Sequence, residues 1–287
     1  MKSPEADKEK EEAPLLRAEI LRLRKILREL TPPLPALLRR RGFRVYRKEP
    51  SGDLFVPRGE LIDSYYEMLK KYSFRLFLRD VIRQQPAFSP AQVTRYATKE
   101  VTGEYLRYLA DMGMVRPEGD TYCLTGERIK SFGETLEWFV AEVFKREFAA
   151  EALWGVKVKR PLVGGDYDLL AKIDGSILYM EIKSSPPRQI YQKEVGSFLE
   201  RVGDLLPEIA VFFVDTELRM KDKIVPFFEE ELAKKTQGTA AVRRMEKELF
   251  EVVTGGTETP RMFIINAKDS IVNNIEKVLT AFFRRSR

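Results

Sequence analysis

Asp168, Glu181 and Lys183 are two carboxylates and an ammonium that local chain rules bring to one place. Between them lies Asp174–Gly175, flanked on both sides by apolar, alternating stretches. That pattern predicts a β-hairpin with a two-residue turn. With Asp174–Gly175 as the loop, Ile173 faces Ser176, and the pairing runs outward until Asp168 stands opposite Glu181. Lys183, two residues further, shares the face of Glu181. The other face is expected to carry Leu169, Ala171, Ile173, Ile177, Met180 and Ile182 or their near neighbours, and to pack on a helix. Opposed like charges destabilise a sheet, so a compensating cation is expected. Oxygen ligands suit Mg²⁺ or Mn²⁺. The same spacing also fits a solvent-facing hairpin in which Lys183 neutralises one acid.

Composition narrows the chemistry. The 287 residues contain no histidine, which removes Ser-His-Asp and Cys-His catalysis, His-metal nucleases and most zinc hydrolases. Carboxylates, lysines, hydroxyls or a hard metal are left. The single cysteine, Cys123, excludes an internal disulfide and a cysteine-rich zinc site. No run approaches the roughly 20 apolar residues of a membrane span, and no signal peptide opens the chain, so a cytoplasmic protein without a membrane partner is expected. The net charge of +6 is unevenly spread, with bases crowding Arg17 to Lys48 and the tail at Arg284, Arg285 and Arg287. A polyanion partner follows from that distribution.

The length allows about two domains. Residues 1–13 are charged and aperiodic, and are expected to be disordered. Leu16, Ile20, Leu23, Leu27 and Leu30 are spaced as a coiled-coil seam. This Leu16–Leu30 helix either docks on its own domain or pairs with a second copy or another protein. Residues 31–35 are expected to end it as a stiff proline linker. From Arg39 to Lys48, bases interleave with aromatics, and Arg40 and Arg44 are candidate phosphate contacts beside stacking rings; a strand with a solvated basic face is the other reading. Helix is expected through 58–85, from Ser89–Pro90 to Ala97, and from Thr98 to Met112, followed by short strands at 114–116 and 121–125. The third helix should bury Val101, Tyr105, Leu109 and Met112, leaving Lys99, Thr102, Gly103 and Arg107 for solvent or a DNA groove. Further on, the pattern predicts a helix over 135–149 and strands at 156–163 and 209–214. Helices are then expected over 190–205, 221–235 and 240–253, with a strand at 261–266 and a closing helix at 270–285. Helix, three strands, helix, strand makes an α/β sandwich around a central sheet.

Two resemblances attach to these residues. The run Leu106…Leu109…Met112–Arg116…Tyr122–Thr125 resembles winged-helix proteins, which implies a DNA- or protein-binding module. Asp168, with Glu181–Ile182–Lys183 on the next strand, resembles the Asp…Glu-x-Lys core of the PD-(D/E)XK, or restriction-endonuclease-like, nuclease superfamily, although Tyr167 rather than proline precedes Asp168. Gly133–Glu137 resembles the helix before that core. The likeness spans roughly 132–215. It implies a restriction-endonuclease-like α/β sandwich with a central mixed sheet over 131–287. Before it would stand a charged tail and amphipathic helix (1–31) and a helical, winged-helix region (32–130). It implies Mg²⁺-dependent (or Mn²⁺-dependent) hydrolysis of phosphodiesters, with DNA as the expected substrate. Asp168, Glu181, the Ile182 carbonyl and Glu137 would be the ligands, Lys183 the charge stabiliser, and Gln192 a residue orienting phosphate or water. A silent, DNA-binding or scaffolding relative of such nucleases is the alternative.

Overall fold

The computed structural model describes residues 16–285 except 17–18, 24–25, 28–29, 160–164, 237–239 and 254–259. The expected disorder of 1–13, the end of the 156–163 strand and Arg287 lie outside the described residues.

The elements run α1 (Leu34–Arg40), β1 (Arg44–Arg47), α2 (Leu61–Leu69), α3 (Tyr72–Gln84), α4 (Lys99–Asp111), β2 (Val115–Glu118), β3 (Thr121–Leu124), α5 (Gly133–Glu147), β4 (Glu151–Lys159), β5 (Asp166–Ile173) and β6 (Ser176–Lys183). Then come α6 (Gln192–Leu205), β7 (Ile209–Val214), α7 (Ile224–Thr236), β8 (Ala241–Glu246), β9 (Leu249–Val253), β10 (Arg261–Asn266) and α8 (Ile271–Arg285). Eight strands form one mixed sheet in the order β1-β4-β5-β6-β7-β10-β9-β8. Only the neighbours β6–β7 and β7–β10 are parallel. The continuous apolar run Ile209–Val214 is buried throughout, as a parallel strand covered on both faces requires.

Helices cover both faces. On one, Leu169, Ala171, Leu178, Met180, Val211 and Phe213 pack against α5 and α8, and the same core continues into α2, α3 and α4. On the other, Leu170, Ile177, Tyr179, Ala210 and Phe212 meet α1, α6 and α7. Ile177 therefore lies on the face opposite Leu169, not with it as expected; alternation from Leu178 dictates this. β1, drawn from the 32–130 segment, is the sheet's edge strand beside β4.

Several elements depart from expectation. Leu34 and Pro35, expected to end the linker, open the helix Leu34–Arg40, because a proline in the first turn suits a helix start. The segment expected as helix from Ser89 to Ala97 holds only one 3-10 turn, Pro90–Val93. Thr98 already caps α4 by accepting the Val101 N–H, which leaves too few residues for a second helix. β4 begins at Glu151, since Ala149, at a φ of 47°, breaks the chain away from α5. The segment 240–253 is a hairpin, β8–β9, turning at Lys247 (φ 38°). Among the described residues of 16–30, Leu16, Ile20, Leu23, Leu27 and Leu30 are exposed rather than docked on the body of the chain. No helix among the described residues is long and apolar enough to cross a membrane.

Candidate active site

The β5–β6 hairpin turns through Asp174 and Gly175, both at positive φ, with Ile173 opposite Ser176 and Leu169 opposite Met180. Past Leu169–Met180 the ladder stops, and a side chain replaces it. Asp168 Oδ2 accepts the Ile182 N–H at 2.7 Å. Neighbouring Lys183 instead faces β7, where its carbonyl accepts the Asp215 N–H at 2.8 Å. Strand alternation then aims the Ile182 carbonyl at the same opening as its N–H.

Gly155 of β4 stands across from Asp168, between the pairs Trp154–Leu169 and Val156–Tyr167. Its φ is +55°; a Cβ there would clash with the Pro50 ring and lie 3.6 Å from Glu137 Oε2. The missing side chain makes room for Pro50, and the Glu137 carboxylate, delivered from α5, lies against the same stretch of strand beside Asp168. Gly155→Ala is expected to destabilise the fold by about 2 kcal/mol or more, combining the left-handed backbone cost with the Pro50 clash. Urea denaturation measures it, and a loss below about 0.5 kcal/mol would contradict the account.

Glu181 is buried and fully engaged. Its Oε1 lies 3.0 Å from Lys183 Nζ and its Oε2 lies 2.7 Å from Arg201 Nη2, and it accepts the Tyr179 hydroxyl. Burial works to raise its pKa, but Lys183 and Arg201 together hold it below the usual range. Lys183 also pairs with Glu194 at 3.0 Å; burial would lower its pKa, and Glu181 and Asp168 more than offset that, so it is raised. Asp168 and Glu137 show the opposite balance. Neither has an ion-pair partner among the described residues. Burial, then Glu181, pushes Asp168 up to about 8; burial, then Asp168, pushes Glu137 up to about 9.

Both acids hold protons in the native state that the unfolded chain releases above about pH 4. The stability these two acids contribute therefore falls as pH rises from about 4 toward 8–9. Asp168→Asn keeps an oxygen for the Ile182 N–H and removes the charge. At pH 8 without divalent ions it is expected to stabilise the protein by on the order of 2 kcal/mol, about 5 °C in melting temperature, and by little at pH 5. Equal melting temperatures at pH 8 would contradict the assignment.

Among the described residues, no group of three or more Asp, Glu, His and Cys side chains is placed to hold a metal ion. Glu181 is turned to its cations. Asp168 and Glu137, without an ion-pair partner among the described residues, and the Ile182 carbonyl are oxygen donors of the kind that a hard divalent ion takes. The structure thus brings Asp168, Glu181, Lys183 and Glu137 into one cluster. Gln192 is not in it: its side chain donates to Glu231 at 2.9 Å. Thr102 corrects an expectation outright. It is fully buried, not groove-facing, because the buried stripe of α4 is Thr102, Tyr105, Leu106 and Leu109. Lys99 and Arg107 are exposed on that helix, and Arg40 and Arg44 are exposed at the β1 edge, apart from the carboxylates. Glu194 and Arg201 of α6 were not legible in the sequence. The one signal for Arg201 is a long cation beside the buried stripe Val195, Phe198, Leu199 and Val202.

The class that this architecture defines is an α/β fold with a central mixed sheet flanked by helices. No protein-family model and no curated protein matches the sequence. Among solved structures, the chain is similar to protein VC1899 from Vibrio cholerae, at 16% identity and TM-score 0.42, over 63% of this chain and 52% of that one. It is likewise similar to Can2 from Sulfobacillus thermosulfidooxidans, solved in complex with cyclic tetra-adenylate, at 15% identity and TM-score 0.42, over 63% and 50%. The chain matches about half the length of each.

Proposed function

We propose that the chain is a divalent-metal-dependent nuclease that hydrolyses phosphodiester bonds, DNA first among its substrates. One observation carries this reading: Asp168 and Glu137 lie together beside Gly155 with no ion-pair partner among the described residues, next to the ion-paired Glu181 and Lys183. Asp168, Glu137 and the Ile182 carbonyl would hold Mg²⁺ or Mn²⁺, with Glu181 joining by giving up one of its cations. A metal there supplies Lewis-acid polarisation of the phosphate and a more acidic water. Lys183 stays protonated and stabilises charge developing on the phosphate. Glu194 and Arg201 hold Lys183 and Glu181 in place. The hairpin β2–β3 with α3 and α4 would serve as a winged-helix-like module for binding or targeting, offering Lys99 and Arg107. The exposed Leu16–Leu30 seam is left to a second copy or a protein partner, and the lone cysteine fits a cytoplasmic setting.

The engagement of Glu181 by three side chains favours a second reading, a nucleic-acid-binding protein whose catalytic site is silent. Cleavage assays decide between them. Single-stranded, duplex and branched DNA and RNA are incubated with Mg²⁺, Mn²⁺ or EDTA, comparing the wild type with Asp168→Ala. Metal-dependent cutting lost in Asp168→Ala is the expected result. Binding without cutting on every substrate would favour the silent protein.

A further inference from the structure

A second concave feature adjoins the cluster and is not used by the chemistry above. It lies past the carboxyl ends of the parallel strands β6 and β7, the place where open α/β sheets bind ligands. Ser184 and Ser185, directly after Lys183, and Asp215–Leu218, directly after β7, form one wall. Side chains of α3, Arg95–Tyr96 and the segment Arg128–Phe132 form the other. The cavity measures about 1030 Å³.

Its charge is one-sided. Arg79, Arg83, Arg95, Arg128, Lys130 and Arg188 line it, against Asp80, Asp215 and Glu217. Asp215 is consumed by Arg75 and Arg79, and among the described residues no ion pair engages the other five cations. Arg83, Arg95, Arg128, Lys130 and Arg188 are exposed. Two lining residues, Arg79 and Asp80, each carry a buried polar atom, Nε and Oδ2, without a hydrogen-bond partner among the described residues. The aromatic rings of Tyr72 and Tyr96 border the same space, and the Arg95 guanidinium lies 5.3 Å from the Tyr96 ring centre. Cations track a phosphate backbone, and rings stack bases. A cavity of this size suits a ligand of modest bulk. It admits one strand with unstacked bases, whereas a duplex, whose major groove alone is about 12 Å wide, is too broad to enter.

We propose that this cleft is a subsite for single-stranded nucleic acid, holding the stretch next to the phosphate presented to Lys183. The assignment of that strand as substrate rests on the nuclease reading. Backbone contact comes from the arginines and Lys130, and stacking from Tyr72 and Tyr96.

The test measures binding of fluorescent single-stranded DNA and RNA oligonucleotides, and of a matched duplex, to the full chain in EDTA over a range of salt. Arg95→Glu/Arg128→Glu alters two exposed side chains, and an unchanged melting temperature certifies its fold. The double variant is expected to bind the preferred strand at least about tenfold more weakly. Its salt slope should be shallower by about 1.4, or about 0.7 for each phosphate that is no longer neutralised. Tyr96→Ala is expected to weaken binding about fivefold or more. The DNA and RNA arms identify which strand it is. Strand affinity and slope unchanged in the variants, or equal losses for strand and duplex, would overturn the proposal, as would full displacement of the strand by equimolar mononucleotide. The two readings fail separately. Variant-sensitive strand binding without metal-dependent cutting retains the cleft and rejects the nuclease; metal-dependent cutting indifferent to the variants rejects the cleft alone.

Discussion

Lys183→Ala is expected to lower metal-dependent phosphodiester cleavage by about 10²–10³ or more, with affinity for the nucleic acid within about threefold of the wild type. Lys183 sits at the end of β6 with its ammonium 3.0 Å from both Glu181 and Glu194, only 20% exposed. Two carboxylates fix its position before substrate arrives, which is the preorganisation that makes a charge effective against a developing oxyanion. Its raised pKa suits a charge stabiliser rather than a base at neutral pH. Loss of the ammonium does not strand Glu181, because Arg201 keeps its hold on the other oxygen, so the variant should fold. Single-turnover cleavage beside oligonucleotide binding separates the two effects. A Lys183→Ala protein that still cut at near wild-type rate would remove this residue from the chemistry. Lys183→Arg, which restores charge with a different shape, is expected to recover only part of the rate.

The largest stability effect is expected at Arg75. Asp215, fully buried just beyond β7, accepts from Arg75 Nη2 at 2.8 Å and from Nε at 3.1 Å, and is also paired with Arg79. Arg75 Nη1 donates to the Leu69 carbonyl at 2.6 Å. Burial alone would raise the Asp215 pKa; Arg75 and Arg79 more than offset it and hold it low. Arg75→Met is therefore expected to cost about 3–5 kcal/mol, because it leaves a buried carboxylate short of a cation. Adding Asp215→Asn to Arg75→Met should return a substantial part of that loss by removing the stranded charge. Chemical denaturation of the single and double variants measures both. A single-variant loss below about 1 kcal/mol, or no recovery in the double, would contradict the assigned role.

The cluster at Asp168, Glu181 and Lys183 was legible because it depends on a local turn and on period-2 parity. Asp174–Gly175 set the register, and the pairing followed outward as far as Leu169–Met180. Glu194 and Arg201 were not legible, since their reach to β6 depends on how α6 crosses the sheet. The β8–β9 hairpin was hidden for a related reason. Its Arg, Met, Glu and Lys are good helix formers, and what decides for strand is non-local: Arg243 and Arg261 pair with Glu251 across three neighbouring strands. Thr102 shows how a small shift of a helical stripe matters. The expected buried set, Val101, Tyr105, Leu109 and Met112, differs from the observed one by a fraction of a turn, enough to move a groove-facing hydroxyl into the core.

The Arg75–Asp215 pair bears on how the molecule can be handled in pieces. Arg75 belongs to α3, and Asp215 ends a central strand of the sheet. A fragment starting at residue 131 would keep every residue of the carboxylate cluster, yet it would forfeit both arginines that neutralise Asp215 and the strand that covers the edge of β4. Such a piece would uncover the apolar face that α2 and α3 pack against and leave an open sheet edge prone to pairing with its own copies. Expression of that fragment should give aggregates, and recombination between homologous chains should tolerate crossovers poorly anywhere between Arg75 and Asp215.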